Sequence, residues 1–329
     1  MQGSYTVKKK KDITKTMKKR QNFLLKLFLL FFASYLLLAP ERALEGSRHG
    51  LLLWFHTILP TLLPFMIVSN IFMHTGIVTK LIRPFSPIFR YFFGLSSYGT
   101  YAFLTGLFFG FPMGAKSTAD LYTMKKITAR EARCLLSISN NPSPVFLLTY
   151  VLQEELLISS KMNQFLSVFY GSVFASAFLF GFYLKKETKN PLSANSSAKK
   201  ETSRPLSPGE LIDVSIMNGF ETITKLGGYI ILSSIAVSAV EFIPAIFSYL
   251  KILLYITLEL STGIHTIASL SIACNLKILL AMCSCAFGGI CVLLQTYSVT
   301  RQTDLGIRSY LAGKFIQTCI TALFLFVFF

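Results

Sequence analysis

Long apolar segments separated by short polar connections run along most of this 329-residue chain. An α-helix needs about 20 predominantly apolar residues to cross the hydrocarbon core of a bilayer. Five segments meet that requirement: Phe23–Ala39, Leu51–Met73, Met162–Leu184, Gly227–Leu250 and Gly313–Phe329. The first is followed by Pro40-Glu41-Arg42 instead of a signal-peptide cleavage site, so we interpret it as a retained anchor. The pattern predicts an all-α polytopic membrane protein.

Other apolar segments are interrupted by residues that break helices. In the first half of the chain, GFPMG (Gly110, Pro112 and Gly114) interrupts the run 97–124, and Asn140-Asn141-Pro142 interrupts the run 134–152. In the second half, the run 251–273 is interrupted between Glu259 and Gly263, and the run 276–298 at Gly288-Gly289. Because the breaks occur in the same order, the two halves are predicted to be structural repeats.

Basic residues are concentrated in the connections, with eight Lys and Arg in residues 1–20 and six in residues 185–204. The positive-inside rule places such segments in the cytoplasm. With 97–124 and 251–273 as re-entrant hairpins, the second half is then inverted relative to the first, an architecture of transporters with a midplane binding site. The predicted organisation is a basic cytoplasmic tail (1–22), an anchor and loop (23–49), two membrane repeats (50–184 and 211–329) and a flexible cytoplasmic linker between them (185–210).

Broken helices at membrane depth indicate a cavity, because their unpaired backbone groups need protein or water around them. Lys116 follows the first break and would suit an anionic or carbonyl-bearing ligand beside a helix N-terminus. The alternative is an interfacial lysine paired with Asp120 one turn later. Asn140 and Asn141 could recognise a nucleobase or sugar through their amides, or they could simply end a helix before Pro142.

The second half offers Glu259, Gln295 and His265 as the corresponding polar residues, and Glu259 is the strongest candidate because it lies deep in an apolar run. The candidate solute site therefore brings together residues from all four breaks: Gly110, Pro112, Gly114, Lys116, Asn140, Asn141, Glu259, Gly263, Gly288, Gly289 and Gln295. We expect the two hairpin tips to meet near the middle of the membrane.

Several functions are disfavoured by the sequence. The net charge of +17 lies in loops between apolar segments, so we expect contacts with the lipid bilayer and no nucleic acid. No catalytic constellation, metal-ligand spacing or phosphate loop is visible, which argues against an enzyme, and we expect no cofactor and no metal. The six cysteines lie on apolar segments and are interpreted as helix-packing residues.

Five segments resemble the nucleoside-recognition (Gate) domain membrane proteins, and among them the sporulation integral membrane proteins. They are Leu63–Asn70, Gly110–Lys116, Glu131–Leu136, Asn140–Phe146 and Phe287–Gln295. The most specific parts are GFPMGAK and the block from Asn140-Asn141 to Pro144, although Pro142 is additional and no basic residue matches Lys116 in the second half. The resemblance covers roughly residues 23–329.

The resemblance implies a multi-spanning plasma-membrane protein needed in spore formation, in cortex assembly, with a fold related to concentrative nucleoside transporters. Two hypotheses follow. In the first, the protein binds or moves a small polar or nucleoside-like solute between its halves. In the second, it is a membrane scaffold whose loops recruit sporulation membrane proteins or other cell-wall partners, and the broken helices serve packing.

Overall fold

The computed structural model describes residues 26–27, 29–75, 77–185 and 207–328. Within these ranges the protein is built from helices, without strands. The α-helices are α1 (Leu29–Leu38), α2 (Pro40–Leu52), α3 (Leu59–Thr75), α4 (Ile77–Ile82), α5 (Ser86–Phe93), α6 (Ser97–Phe109), α7 (Met113–Thr123), α8 (Ala129–Ile138), α9 (Met162–Lys185), α10 (Pro208–Val240), α11 (Ser248–Leu258), α12 (Leu260–Ser269), α13 (Cys274–Phe287), α14 (Gly289–Thr300) and α15 (Ile307–Phe328).

Five helical stretches of the described chain are long and apolar enough to cross a membrane. They are Pro40–Thr75, Met162–Phe182, Pro208–Val240, Cys274–Thr300 and Ile307–Phe328. The prediction of an all-α polytopic membrane protein is therefore confirmed. The first stretch joins α2 to α3 through a π-helical segment, Leu53–Ile58.

One predicted span is wrong. Gly227–Leu250 is not one helix, because α10 begins at Pro208 and ends at Val240, and a turn containing Pro244 separates it from α11. Proline supplies no backbone donor and clashes with the preceding helical turn, so the chain cannot continue as one helix there. The residues on both sides of Pro244 are apolar, so hydropathy alone did not indicate this boundary. The membrane-spanning helix therefore lies earlier in the chain than predicted.

Other predicted segments lie partly or wholly outside the described residues. Of the predicted anchor Phe23–Ala39, α1 covers Leu29–Leu38. The tail and most of the linker, residues 186–206, are not covered, but the linker has ended by Ser207, whose side chain caps α10 in a capping box with Glu210.

Small residues allow α2 to pack closely on α10. A Cβ on Gly46 would lie 2.9 Å from the carbonyl oxygen of Ser234, and Gly50 contacts the same part of α10. Near them, Trp54 Nε1 donates a hydrogen bond to the carbonyl oxygen of Ile223 at 2.9 Å. Lipid is as apolar as the helix surfaces, so close packing and interhelical hydrogen bonds hold the helices together.

The main core is formed by α6, α8, α9, α12, α13 and α15, with side chains such as Phe103, Leu135, Phe169, Ile264 and Met282 fully or almost fully buried. The last helix, α15, packs against α8, α9 and α13. It therefore joins the first half of the chain to the second, and its buried face lies where the broken segments end.

Candidate functional site

Lys314 is a basic residue buried inside the bundle. It lies on α15, its side chain is completely buried, and its Nζ atom donates hydrogen bonds to Asn141 Oδ1 at 2.8 Å and Gln317 Oε1 at 2.9 Å. Nζ also lies 5.9 Å from the centre of the Phe111 ring. Both hydrogen-bond acceptors are neutral amides, and no carboxylate of the described chain forms an ion pair with Lys314.

A second group of polar side chains surrounds Asn140. Asn140 Nδ2 donates to Thr296 Oγ1 at 2.7 Å, which joins the first half to α14. The buried hydroxyl of Tyr310, one turn before Lys314, lies beside the same two side chains. Asn140, Thr296 and Tyr310 therefore continue the polar patch that begins at Lys314.

Several atoms in this patch have no hydrogen-bond partner among the described residues. They are Asn140 Oδ1, the Tyr310 hydroxyl and Gln317 Nε2. Leaving a buried polar atom unpaired costs roughly 1–3 kcal/mol. The Lys314 ammonium group has three protons, and only two of them are donated to the amides of Asn141 and Gln317. The patch thus offers unused donors and one unused carbonyl acceptor to another polar molecule.

The glycine pair at the junction of α13 and α14 lies close to both hairpin breaks. Gly288 and Gly289 have φ of +90° and +72°, a region that glycine adopts without strain. A Cβ on Gly288 would lie 3.5 Å from the Phe111 ring at the first tip, and one on Gly289 would lie 3.1 Å from the carbonyl oxygen of Thr257 beside the second tip. Gly288-Gly289 thus lies against Phe111 of the first break and against the end of α11 beside the second, whereas the meeting of the two tips at a central cavity stays a prediction.

The first break also packs directly on the break after α8. Gly110 has a φ of +78°, and a Cβ there would lie 2.8 Å from the backbone nitrogen of Ser143. A Cβ on Gly114 would overlap the carbonyl oxygen of Ser139, just before Asn140. Pro112 is the N-cap residue of α7. These close approaches bring Phe111 and Asn141 around Lys314.

Lys116 makes the ion pair that the alternative interpretation predicted. Its Nζ atom lies 2.6 Å from Asp120 Oδ1 one turn later, and both side chains are mostly buried. The contact satisfies the lysine within α7. Lys116 is thus near the first break but is paired, in contrast to Lys314.

Glu259 caps a helix. Its carboxylate accepts hydrogen bonds from the backbone nitrogens of Ser261 at 3.0 Å and Thr262 at 2.7 Å, and from the Thr262 hydroxyl at 2.9 Å. The negative charge is favourable at the N-terminus of α12. The second break consists of Glu259 alone, because Gly263 lies inside α12 and allows close packing on Ile256; the predicted break from Glu259 to Gly263 was too long.

Gln295 and His265 contact residues outside the polar patch. Gln295 is buried on α14, and its Nε2 atom lies 3.3 Å from Cys291 Sγ. His265 Nδ1 lies 2.9 Å from Glu155 Oε2, and its side chain is exposed. His265 therefore belongs to the end of the bundle near Glu155.

Sequence reasoning missed Thr296, Tyr310, Lys314 and Gln317. A signal was present for the lysine, since it lies one residue inside the predicted span Gly313–Phe329, and an ionisable residue within a membrane span indicates function by default. Lys314 lies on an uninterrupted helix, whereas the predicted site was built from the interrupted segments that pack against it. Thr296 and Tyr310 carried no comparable signal, because hydroxyl residues are common in membrane helices.

Comparison with known proteins supports the resemblance seen in the motifs. The chain is similar to the sporulation integral membrane protein YlbJ of Bacillus subtilis (strain 168), with 24% identity over 94% of this chain and 83% of that protein. No family model matches the chain, and no solved structure gives a significant match. The likeness to sporulation integral membrane proteins is thus supported along most of the chain, whereas the Gate domain assignment remains an interpretation of the motifs.

Proposed function

We propose that this protein is a sporulation-associated membrane protein that binds and moves a small polar solute at the patch around Lys314. The observation that carries the proposal is the completely buried lysine that has only neutral amides as partners. A lone buried charge costs several kcal/mol unless a partner compensates it. A solute that presents an anionic or carbonyl oxygen to Lys314 would supply that partner.

The remaining atoms of the patch define the chemistry of the solute further. Gln317 Nε2 can donate, Asn140 Oδ1 can accept, and the Tyr310 hydroxyl can do either. Nucleobases and sugars carry both donors and acceptors, which agrees with the nucleoside-like solute that the Gate resemblance implies. The Phe111 ring near Lys314 offers an apolar face for such a molecule.

Contacts at the two ends of the bundle support an inverted arrangement of the halves. At one end, Tyr122 in the last turn of the first hairpin donates a hydrogen bond to Asp304 between α14 and α15 at 2.7 Å. At the other end, His265 near the end of the second hairpin contacts Glu155. Hairpins that enter from opposite sides and meet at Gly288-Gly289 are the arrangement expected of inverted transporter repeats.

The role in sporulation rests on the similarity to YlbJ, whose name describes a sporulation integral membrane protein. The resemblance of the motifs adds cortex formation and a plasma-membrane location with a cytoplasmic N-terminus. The scaffold function remains the second candidate. It is favoured by Lys116 and Glu259, whose contacts in this structure are an intrahelical ion pair and a helix cap.

Lys314→Met tests the proposal because it removes the charge and keeps a side chain of similar length. We expect normal abundance in the membrane, loss of spore formation in a complementation assay, and at least a tenfold loss of solute uptake by proteoliposomes tested with uridine. Lys225→Met is the matched control, since Lys225 is half-exposed on α10 and pairs with Glu221. Spore formation at the wild-type level in Lys314→Met would favour the scaffold.

A further inference from the structure

A cleft lies on the outside of the bundle, away from the polar patch around Lys314. The cleft, of about 420 Å³, opens between α8, α9 and α15. Its lining comes from the start of α8, the last turns of α9 and the first turns of α15, so it lies near one end of the bundle. This is the end where Tyr122 contacts Asp304.

The cleft combines two cations with an apolar wall. Arg130 and Arg133 line it from α8, whereas Leu179 and Phe180 from α9 and Ile316 from α15 line it with hydrocarbon. Arg133 is exposed and forms no ion pair in the part of the chain that the structure covers. Guanidinium groups bind phosphate through paired hydrogen bonds.

Exposed apolar side chains surround the cleft. Leu179 lines it and is 54% exposed, and Phe182 and Phe315 on the neighbouring helix surfaces are 58% and 66% exposed. These apolar surfaces face the acyl chains of a bilayer in a membrane protein. A molecule that occupies the cleft can therefore extend into the hydrocarbon.

We propose that this cleft binds an anionic phospholipid, with its phosphate at Arg130 and Arg133 and one acyl chain along Leu179, Phe180 and Ile316. Charge complementarity and position decide between occupants. A soluble anion would leave the apolar wall uncovered, and a zwitterionic lipid would place its own ammonium group beside two arginines. Basic pockets between membrane helices near a headgroup layer are suited to anionic headgroups. A lipid here would contact α15 on the side opposite its buried lysine face.

The experiment is a titration of the purified full-length protein in neutral detergent with phosphatidylglycerol, followed by native mass spectrometry. Phosphatidylcholine with the same acyl chains tests the headgroup, and inorganic phosphate as competitor tests the acyl chain. We expect phosphatidylglycerol to bind at least tenfold more tightly than phosphatidylcholine. Millimolar inorganic phosphate should displace little of it.

Three variants locate the site. Arg130→Gln/Arg133→Gln should weaken phosphatidylglycerol binding roughly thirtyfold, the loss expected for two basic side chains near anionic headgroups. Lys126→Gln/Arg301→Gln removes the same charge from exposed positions outside the cleft and should change binding less than threefold. Ala312→Phe keeps both arginines but fills the apolar part of the cleft, and it should also weaken binding.

Equal binding of the two lipids would overturn the proposal. So would displacement by inorganic phosphate, which would indicate a headgroup site without an acyl-chain site, or equal losses in the two double variants, which would indicate a general charge effect. If the arginine variant does not fold, unchanged binding in Ala312→Phe is sufficient to reject the site.

Discussion

Lys314 Nζ lies 2.8 Å from Asn141 Oδ1, and the two residues are 173 positions apart in the chain. This hydrogen bond joins the break after α8 to the last membrane helix. It is completely buried, and its neighbours on both sides include polar atoms without partners. The bond therefore marks the place where the two halves of the protein share one polar environment.

Asn141→Leu should destabilise the protein mainly through Lys314. The substitution removes one of two acceptors from a buried ammonium group, so we expect a cost of about 1.5–3 kcal/mol. In a Lys314→Met background the same change should cost much less, because only the bond from Asn141 Nδ2 to the Ile138 carbonyl is then lost.

Apparent melting temperatures of the four proteins, measured in one detergent, give the coupling between these residues. A cost of Asn141→Leu that is the same with and without Lys314 would show that the hydrogen bond contributes nothing to the folded state in solution.

The role of Lys116 can be tested by replacing it alone and together with Asp120, its ion-pair partner. Lys116→Met should lower both stability and function, since it leaves the mostly buried Asp120 without its ion pair. Lys116→Met/Asp120→Leu replaces the pair with apolar side chains, which is often neutral for stability. We expect spore formation to return in the double variant. If the double variant is stable but inactive, Lys116 acts on the solute as the sequence suggested.

Sequence patterns predicted the helical membrane class and the parts of the chain in which helices are interrupted. These properties depend on local chemistry, since apolar length defines a span and Gly, Pro and Asn interrupt it. The Lys116–Asp120 pair could be predicted from its spacing along one helix, but the contacts of Lys314 could not, because they depend on tertiary packing. Glu259 is deep in an apolar run and caps its own helix, whereas Lys314, in an uninterrupted run, contacts two other segments at Phe111 and Asn141.

Gly114→Ala should destabilise the protein without touching the polar patch directly. The new methyl group would overlap the Ser139 carbonyl oxygen, and overpacking of this kind costs about 1–3 kcal/mol. Gly228→Ala is the matched control, because nothing lies within 4 Å of a Cβ there and alanine favours the helix. Thermal unfolding should therefore show a lower melting temperature only for Gly114→Ala. Equal values would contradict the close packing of the two breaks.

A buried patch that moves a solute must open to water during a transport cycle, and a cysteine at Thr296 can detect this opening. Thr296 and Ala281 are both completely buried, but only Thr296 contacts the patch through Asn140. Each would be replaced by cysteine in a protein whose six native cysteines have been substituted. A membrane-impermeant thiol reagent would then be applied to each side of the membrane in turn. We predict that Thr296→Cys is labelled from both sides while Ala281→Cys stays unreactive. A Thr296→Cys protein as unreactive as Ala281→Cys from both sides would contradict the account and favour a static scaffold.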